Sequence, residues 1–343
     1  MDYNNDIAEI RNGLTGDCCQ DMIYLRNLLR TYMYVENSGK VRQEIIRMMY
    51  ANLSDSERVM PEQQYIGLMS LLSTKYREFT DLFDDDQYEK ALKIADEIIS
   101  ATEPMIQGDP DEGCFSFYEA FDYFVYLSKH QDVDAAAFAP LPMSEYYLQK
   151  ANCLICLDRI AEAQEVVADA LRWNPVGSEA YIAAADCLSA LGDMDGAWEQ
   201  LRKAHSCAYR SEARSHVYTT AGEMLLSEEK TEDAILMFWM SSWATEDKDT
   251  YEDLLTLIEG LSGSFPKRPS SKKLENTVNK FGLSLRPHVE MAHLASEIGK
   301  MMEKNEKYVD AYYYYDIAYG LTLNAKIGQT LERIQAKIEA EEE

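Results

Sequence analysis

Five histidines and seven cysteines are the side chains of this 343-residue chain best suited to metal binding or nucleophilic chemistry, and their spacing argues against both. His288 and His293 are five apart with Glu290 between them. Two ligands on one helical face need an i, i+4 spacing instead. Cys153-Leu-Ile-Cys156 has the bare CxxC pattern. A redox pair sits at a helix N-terminus, where exposed amides stabilise the thiolate. This one falls in the middle of a predicted helix and is expected to be small apolar filler. The chain has no phosphate-cradling glycine loop and no GxSxG nucleophile elbow. With 60 carboxylates, closeness of any two in sequence carries no information. The expectation is a protein that is not an enzyme, with no catalytic residue, metal or cofactor.

The charge narrows the partners. Sixty acidic against 33 basic residues give a formal charge of −27, which disfavours an electrostatic grip on nucleic acid or anionic lipid. From Asp81 to Glu145 the chain has 16 acids and 3 bases. Asp84-Asp85-Asp86 and Asp109-Pro110-Asp111-Glu112 are its densest runs. A solvated surface is the ordinary reading of such a stretch, and a docking face for a basic partner is the sharper one. Neither run has the glycine spacing or terminal glutamate of a calcium-binding loop. Cysteines 18, 19, 114, 153, 156, 187 and 207 form no disulfide framework, which fits a reducing interior. The start, Met1-Asp-Tyr-Asn-Asn-Asp6, lacks the regions of a signal peptide. No apolar stretch approaches the roughly 18 residues that span a membrane. A cytoplasmic protein is expected.

The elements that must position any site repeat. Tyr147, Ala151, Leu154, Ala163, Ala170 and Pro175 are answered by Tyr181, Ala185, Leu188, Ala197, Ala204 and Tyr209, 34 residues on (181 − 147). Tyr218, Ala221, Gly222, Leu225, Ala234 and Phe238 return after a step of 37 (218 − 181). Such a period is that of a two-helix unit that cannot bury its apolar face alone and must stack on neighbours. Small residues recur where paired helices approach closely, at Ala151, Ala185 and Gly222 and at Ala163, Ala197 and Ala234. Large ones recur where the helices interlock. Asp158-Arg159 and Leu191-Gly192-Asp193 mark the turns, and Pro175 closes one unit.

These positions resemble the tetratricopeptide repeat (TPR) family. The resemblance is strong over about 100 residues from Ser144 to Ala244. Weaker copies lie at Gly299, Met302, Tyr308, Ala311, Tyr315 and Ala318, and at Leu82, Tyr88, Ala91, Ala95 and Ile98. The implied fold is all-α, a TPR-type helical-hairpin solenoid with a helical N-terminal region and a C-terminal capping helix. Five stretches are expected: a helical region at 1–60, a degenerate repeat plus an aromatic and acidic insert at 61–143, three clear repeats at 144–247, a helix and basic linker at 248–291, and a final repeat with its cap at 292–343. Within them, helices are expected near 4–12, 18–35, 38–53 and 114–129. Leu261 to Lys273 reads as a flexible basic connection. Ile327, Leu331, Ile334 and Ile338 fall on one face of the cap. In the run Tyr312 to Tyr315, the register makes Tyr315 a core position.

In the family, the first helices of successive repeats line a groove for a peptide or protein segment. The register then assigns to the groove Glu145, Leu148, Asn152 and Ile155 from the first clear repeat. It adds Glu179, Ile182, Asp186 and Ser189 from the second, and His216, Thr219, Glu223 and Leu226 from the third. The lysine, arginine and asparagine set of the carboxylate-clamp variant is not matched beyond Asn152, with Ala183, Asp186 and Thr220 at the other places. Acids alternating with apolar residues suit a basic or amphipathic segment. The leading function is a non-enzymatic adaptor or scaffold for a protein or peptide. The alternatives are a peptide-responsive bacterial regulator and a secretion-type chaperone for a partly unfolded client.

Overall fold

Five turns of this chain are built alike, and they organise the fold. In the computed structural model, which describes residues 3–130, 136–264, 267–284 and 289–342, each turn is three residues long and joins two helices that pack on each other. The second turn residue is left-handed each time: Asp86 (φ 58°), Asp158 (57°), Gly192 (84°), Glu229 (60°) and Glu306 (62°). The next residue donates its amide to a carbonyl five residues back. These bonds are Gln87 to Leu82 (2.8 Å), Arg159 to Leu154 (2.9 Å), Asp193 to Leu188 (2.9 Å), Lys230 to Leu225 (2.8 Å) and Lys307 to Met302 (3.0 Å). That bond satisfies an orphan carbonyl of the first helix and folds the second back along it. Only Gly192 takes the left-handed position without a steric cost.

The chain divides into two compact units, Met1–Pro175 and Val176–Glu343. The boundary falls between the first and second of the clear repeats.

The first unit opens with α1 (Tyr3–Asn12), α2 (Cys18–Met33) and α3 (Gly39–Asn52), at nearly the predicted places. Asp17 caps α2 by accepting the Gln20 amide at 2.9 Å. The hairpin α4 (Glu62–Asp84) with α5 (Tyr88–Thr102) is the degenerate repeat. After it the expected helix near 114–129 is shorter. Cys114–Phe115 forms a two-residue strand, β1, and α6 begins at Ala120 and ends at Lys129. The delay has a local cause: Glu119 and Asp122 form a reciprocal capping box that fixes the helix start. Ser116 is meanwhile held by the carbonyls of Trp173 (2.7 Å) and Leu141 (2.8 Å). β1 pairs in parallel with β2 (Ala137–Phe138). The unit closes with the hairpin α7 (Met143–Cys156) and α8 (Ile160–Trp173). Its core gathers Met22, Leu25, Leu29, Ile45, Ile46, Met49, Met69 and Ile98 from α2 to α5.

The second unit contains the hairpins α9 (Ser178–Ala190) with α10 (Met194–Cys207) and α11 (Ser211–Ser227) with α12 (Thr231–Ala244). Small residues stand where the register puts them. Ala185, Ala197, Ala221 and Ala234 are fully buried. A Cβ on Gly222 would lie 2.5 Å from the Phe238 ring, so only glycine admits that helix pair at this spacing.

The stretch 248–291, expected as a helix and a basic linker, holds two complete helices among its described residues. α13 (Lys248–Ser262) and α14 (Ser271–Lys280) put Leu254, Ile258, Leu274 and Val278 into the core, and Phe281 stacks on Trp198 at 4.8 Å. α14 starts at Ser271 because Ser270 caps it, so the end of the expected flexible connection is helical. Phe265 and Pro266 lie outside the described residues. α15 (Val289–Lys304) and α16 (Tyr308–Thr322) form the last hairpin, and α17 (Ala325–Glu342) packs on α16. Ile334 and Leu331 are buried beneath it, and Arg333 reaches Glu303 of α15 at 2.9 Å. Tyr315 is a core residue as predicted, and Tyr314 is buried as well. No described helix is long and apolar enough to cross a membrane.

Candidate functional site

The twelve groove positions divide four and eight between the two units. In the first unit, Glu145 is already engaged. Its carboxylate accepts from the Arg30 guanidinium of α2 and from the Tyr76 hydroxyl of α4 (2.7 Å), and its side chain is only 13% exposed. Gln149 in turn donates to Tyr76 at 2.9 Å. Glu145 therefore ties α7 to the N-terminal helices. Leu148, Asn152 and Ile155 are half-buried along the same helix. The acidic run around them is partly neutralised from within, since Arg172 reaches Asp111 at 2.8 Å and Lys150 reaches Asp96 at 2.8 Å.

The second unit brings its polar positions together. Register places Glu179 of α9 against His216 of α11, and Asp186 against Glu223; both pairs are 37 residues apart (216 − 179 and 223 − 186). The first pair meets, with His216 Nδ1 at 2.7 Å from a Glu179 oxygen. The four residues form one electrostatic cluster. Burial pushes the Asp186 carboxyl up to about 6; His216 opposes the rise, while Glu223 and Glu179 add to it. Glu223 is raised too, by burial, against the pull of His216. For His216 burial acts downward, but the Glu179 hydrogen bond and the charges of Glu179, Asp186 and Glu223 together raise it. The side chains of His216 and Glu179 keep 48% and 45% exposure. The cluster is thus open to water on one side and crowded by protein on the other.

The remaining positions support this face. Thr219 shares a hydrogen bond with Ser241 at 2.8 Å, and Ser241 shares another with Ser215 at 2.8 Å, fixing α11 to α12. The Ser189 hydroxyl sits 3.5 Å from the Met194 sulfur. Leu226 packs partly against the core. Ile182 departs from the expectation: it is fully buried inside the unit, because α9 is apolar nearly all round and has no wide solvent face. Among the described residues, no lysine or arginine forms an ion pair with Asp186 or Glu223.

Among the other chemical candidates, packing accounts for Cys153 and His205. Cys153 is buried, and burial pushes its thiol up to about 12, while Cys156 is exposed. A thiol so raised is no nucleophile at neutral pH. Among the described residues, no three His, Cys, Asp or Glu side chains are grouped to hold a metal ion. His288 lies outside the described residues. His205 is buried, 3.2 Å from the Tyr218 hydroxyl, which donates to the Ser284 carbonyl at 2.5 Å.

Sequence reasoning missed Arg26. It lies on α2, 5% exposed, in a stretch without any repeat signature. A charged residue within an otherwise apolar helical face, Met22, Leu25, Arg26 and Leu29, was the available signal.

Compared with known proteins, the chain matches no family model and no curated protein. Among solved structures it is similar to a chain of the APC/C hetero-tetramer Cut9–Hcn1, with 13% identity and a TM-score of 0.31. That similarity covers 88% of this chain, which spans 57% of the other.

Proposed function

We propose that the protein is a non-enzymatic binding module of the TPR family, an adaptor for a protein or peptide segment, acting in the cytoplasm. Its α9–α11 face takes a basic side chain from an amphipathic segment. One observation carries the reading. Three carboxylates, Glu179, Asp186 and Glu223, share a half-open wall whose only described cation partner is the titratable His216. Asp186 and Glu223, whose carboxyls are held above their ordinary values, are short of positive charge, and an incoming lysine or arginine supplies it. Leu226 beside them offers the apolar contact that an amphipathic segment needs.

A labelled amphipathic helical peptide with lysines on one face, followed by fluorescence anisotropy, tests this. Binding should tighten as pH rises from about 5 to 7.5, since Asp186 ionises near 6. Asp186→Asn with Glu223→Gln should weaken it at least about tenfold, the scale of a charge-assisted hydrogen bond. Equal affinity for a peptide with glutamates in place of the lysines would refute the reading.

A further inference from the structure

A pocket in the first unit is lined by Arg26, Arg30, Ser73, Tyr76 and Tyr146 together with apolar groups, Met33, Met49 and Met69 among them. Its polar groups are nearly all spoken for. Arg30 and Tyr76 both go to Glu145, and the Ser73 hydroxyl donates to the Met69 carbonyl at 2.8 Å. Arg26 is the exception. One terminal nitrogen, Nη2, donates to the Phe117 carbonyl at 2.8 Å, and the guanidinium lies 5.4 Å from the Phe138 ring centre. Nε and Nη1 are buried with no hydrogen-bond partner. They carry three N–H bonds between them.

This is an unusual place for a charge with one carbonyl acceptor and no carboxylate. The chain has 60 carboxylates, yet among the described residues none pairs with Arg26. The groups that bear on its charge are Arg30, of like sign, and Tyr146, Cys19 and Tyr118. Burial holds the Cys19 thiol and the Tyr146 hydroxyl each up to about 12, so both are neutral. A buried guanidinium with neither counter-charge nor full hydrogen bonding is the costly half of an ion pair. Arg26 lines a cavity of about 40 Å³. That is room for roughly three waters or one small organic anion. Apolar side chains, three of them methionines that adapt to the shape of what they touch, make up the rest of its wall.

We infer that this pocket binds a carboxylate carrying a short apolar group, with Arg26 as its counter-ion. A monoanion matches the single uncompensated charge. The apolar wall favours a hydrocarbon tail, and the volume limits that tail to a few carbons. The neutral Tyr146 hydroxyl is a second donor on the same wall. The carboxylate belongs either to a free short-chain acid or to the C-terminus of a peptide ending in a small apolar residue. The site is separate from the Asp186 cluster, lies in the other unit, and prefers the opposite charge.

Calorimetric titration of the full chain with butyrate, with butyramide, and with an alanine-ended peptide as its free acid and its amide tests this. Saturable binding of butyrate at least about tenfold tighter than butyramide is expected, and it is lost in Arg26→Met. Binding of the peptide acid and not of butyrate would assign the pocket to a chain terminus. No binding by either carboxylate, or equal binding of butyrate and butyramide, would overturn the inference. The comparison of acid with amide uses the unaltered protein, so it stands even where Arg26→Met fails to fold. Arg26→Met that folds and binds butyrate as well as the parent would overturn it too.

Discussion

Replacing Asp186 by Asn should make the second unit more stable at pH 7.5 and change it much less at pH 4. The folded protein holds the Asp186 carboxyl at about 6 against an ordinary value of 3.8. Between those values the folded state binds the proton and the unfolded state does not, so stability falls as pH rises through the window. Above about 6 the full difference of about 2 units is lost, which at about 1.36 kcal/mol per unit is a ceiling of about 3 kcal/mol. The wall is open on one side, and solvent screening reduces that ceiling to about 1–2 kcal/mol. Asn keeps the shape and cannot ionise, so it escapes the penalty. His216, whose raised value likewise favours the folded state at low pH, adds to the same downward slope in the parent protein. Urea unfolding followed by tryptophan fluorescence suits the measurement, because Trp198, Trp239 and Trp243 all lie in the second unit. An Asp186→Asn protein no more stable than the parent at pH 7.5 would refute the reasoning. So would an equal gain at both pH values, because the effect would then owe nothing to ionisation.

Four further outcomes check the packing, the turns and the burial of a thiol. Gly222→Ala should destabilise despite the helix propensity that alanine adds, by about 1–3 kcal/mol, because its Cβ enters the Phe238 ring. Gly260→Ala, where a Cβ meets nothing, should stabilise by up to about 1 kcal/mol in the same urea assay. Glu229→Gly should stabilise by about 0.5–1 kcal/mol, since Glu229 holds the left-handed turn position that Gly192 fills in the preceding repeat. A lower urea midpoint for that variant would show that the Glu229 side chain contributes more than its backbone costs. In native protein a thiol reagent followed by mass spectrometry should label Cys156 readily and Cys153 only on unfolding.

The repeat was legible because hairpin packing imposes the same demand at the same register position each time. Ala185, Ala197, Ala221 and Ala234 had to be small for helices to meet, and the three-residue turns needed one left-handed residue each. The charge pair Glu179 and His216 was legible as two separate groove positions but not as a contact, since contact depends on how closely α9 and α11 pack. Ile182 illustrates a limit of register reasoning. A helix rich in alanine has no strong polar face, so the position that should look outward turned inward. The shortened α6 shows another limit, because the capping box of Glu119 and Asp122 outweighed the aromatic periodicity before it.

What the sequence determined alone is the all-α hairpin repeat and the places where its helices touch, because both follow from local periodicity and side-chain size. What tertiary structure decided is which charges share an environment. Asp186 is raised by burial and by Glu223 and Glu179, 37 and 7 residues away, against the pull of His216, 30 residues away, and Arg26 is buried against Phe117 and Phe138, segments distant in the chain. Electrostatic free energy depends on distance through space and on the loss of water. Neither is written in residue order.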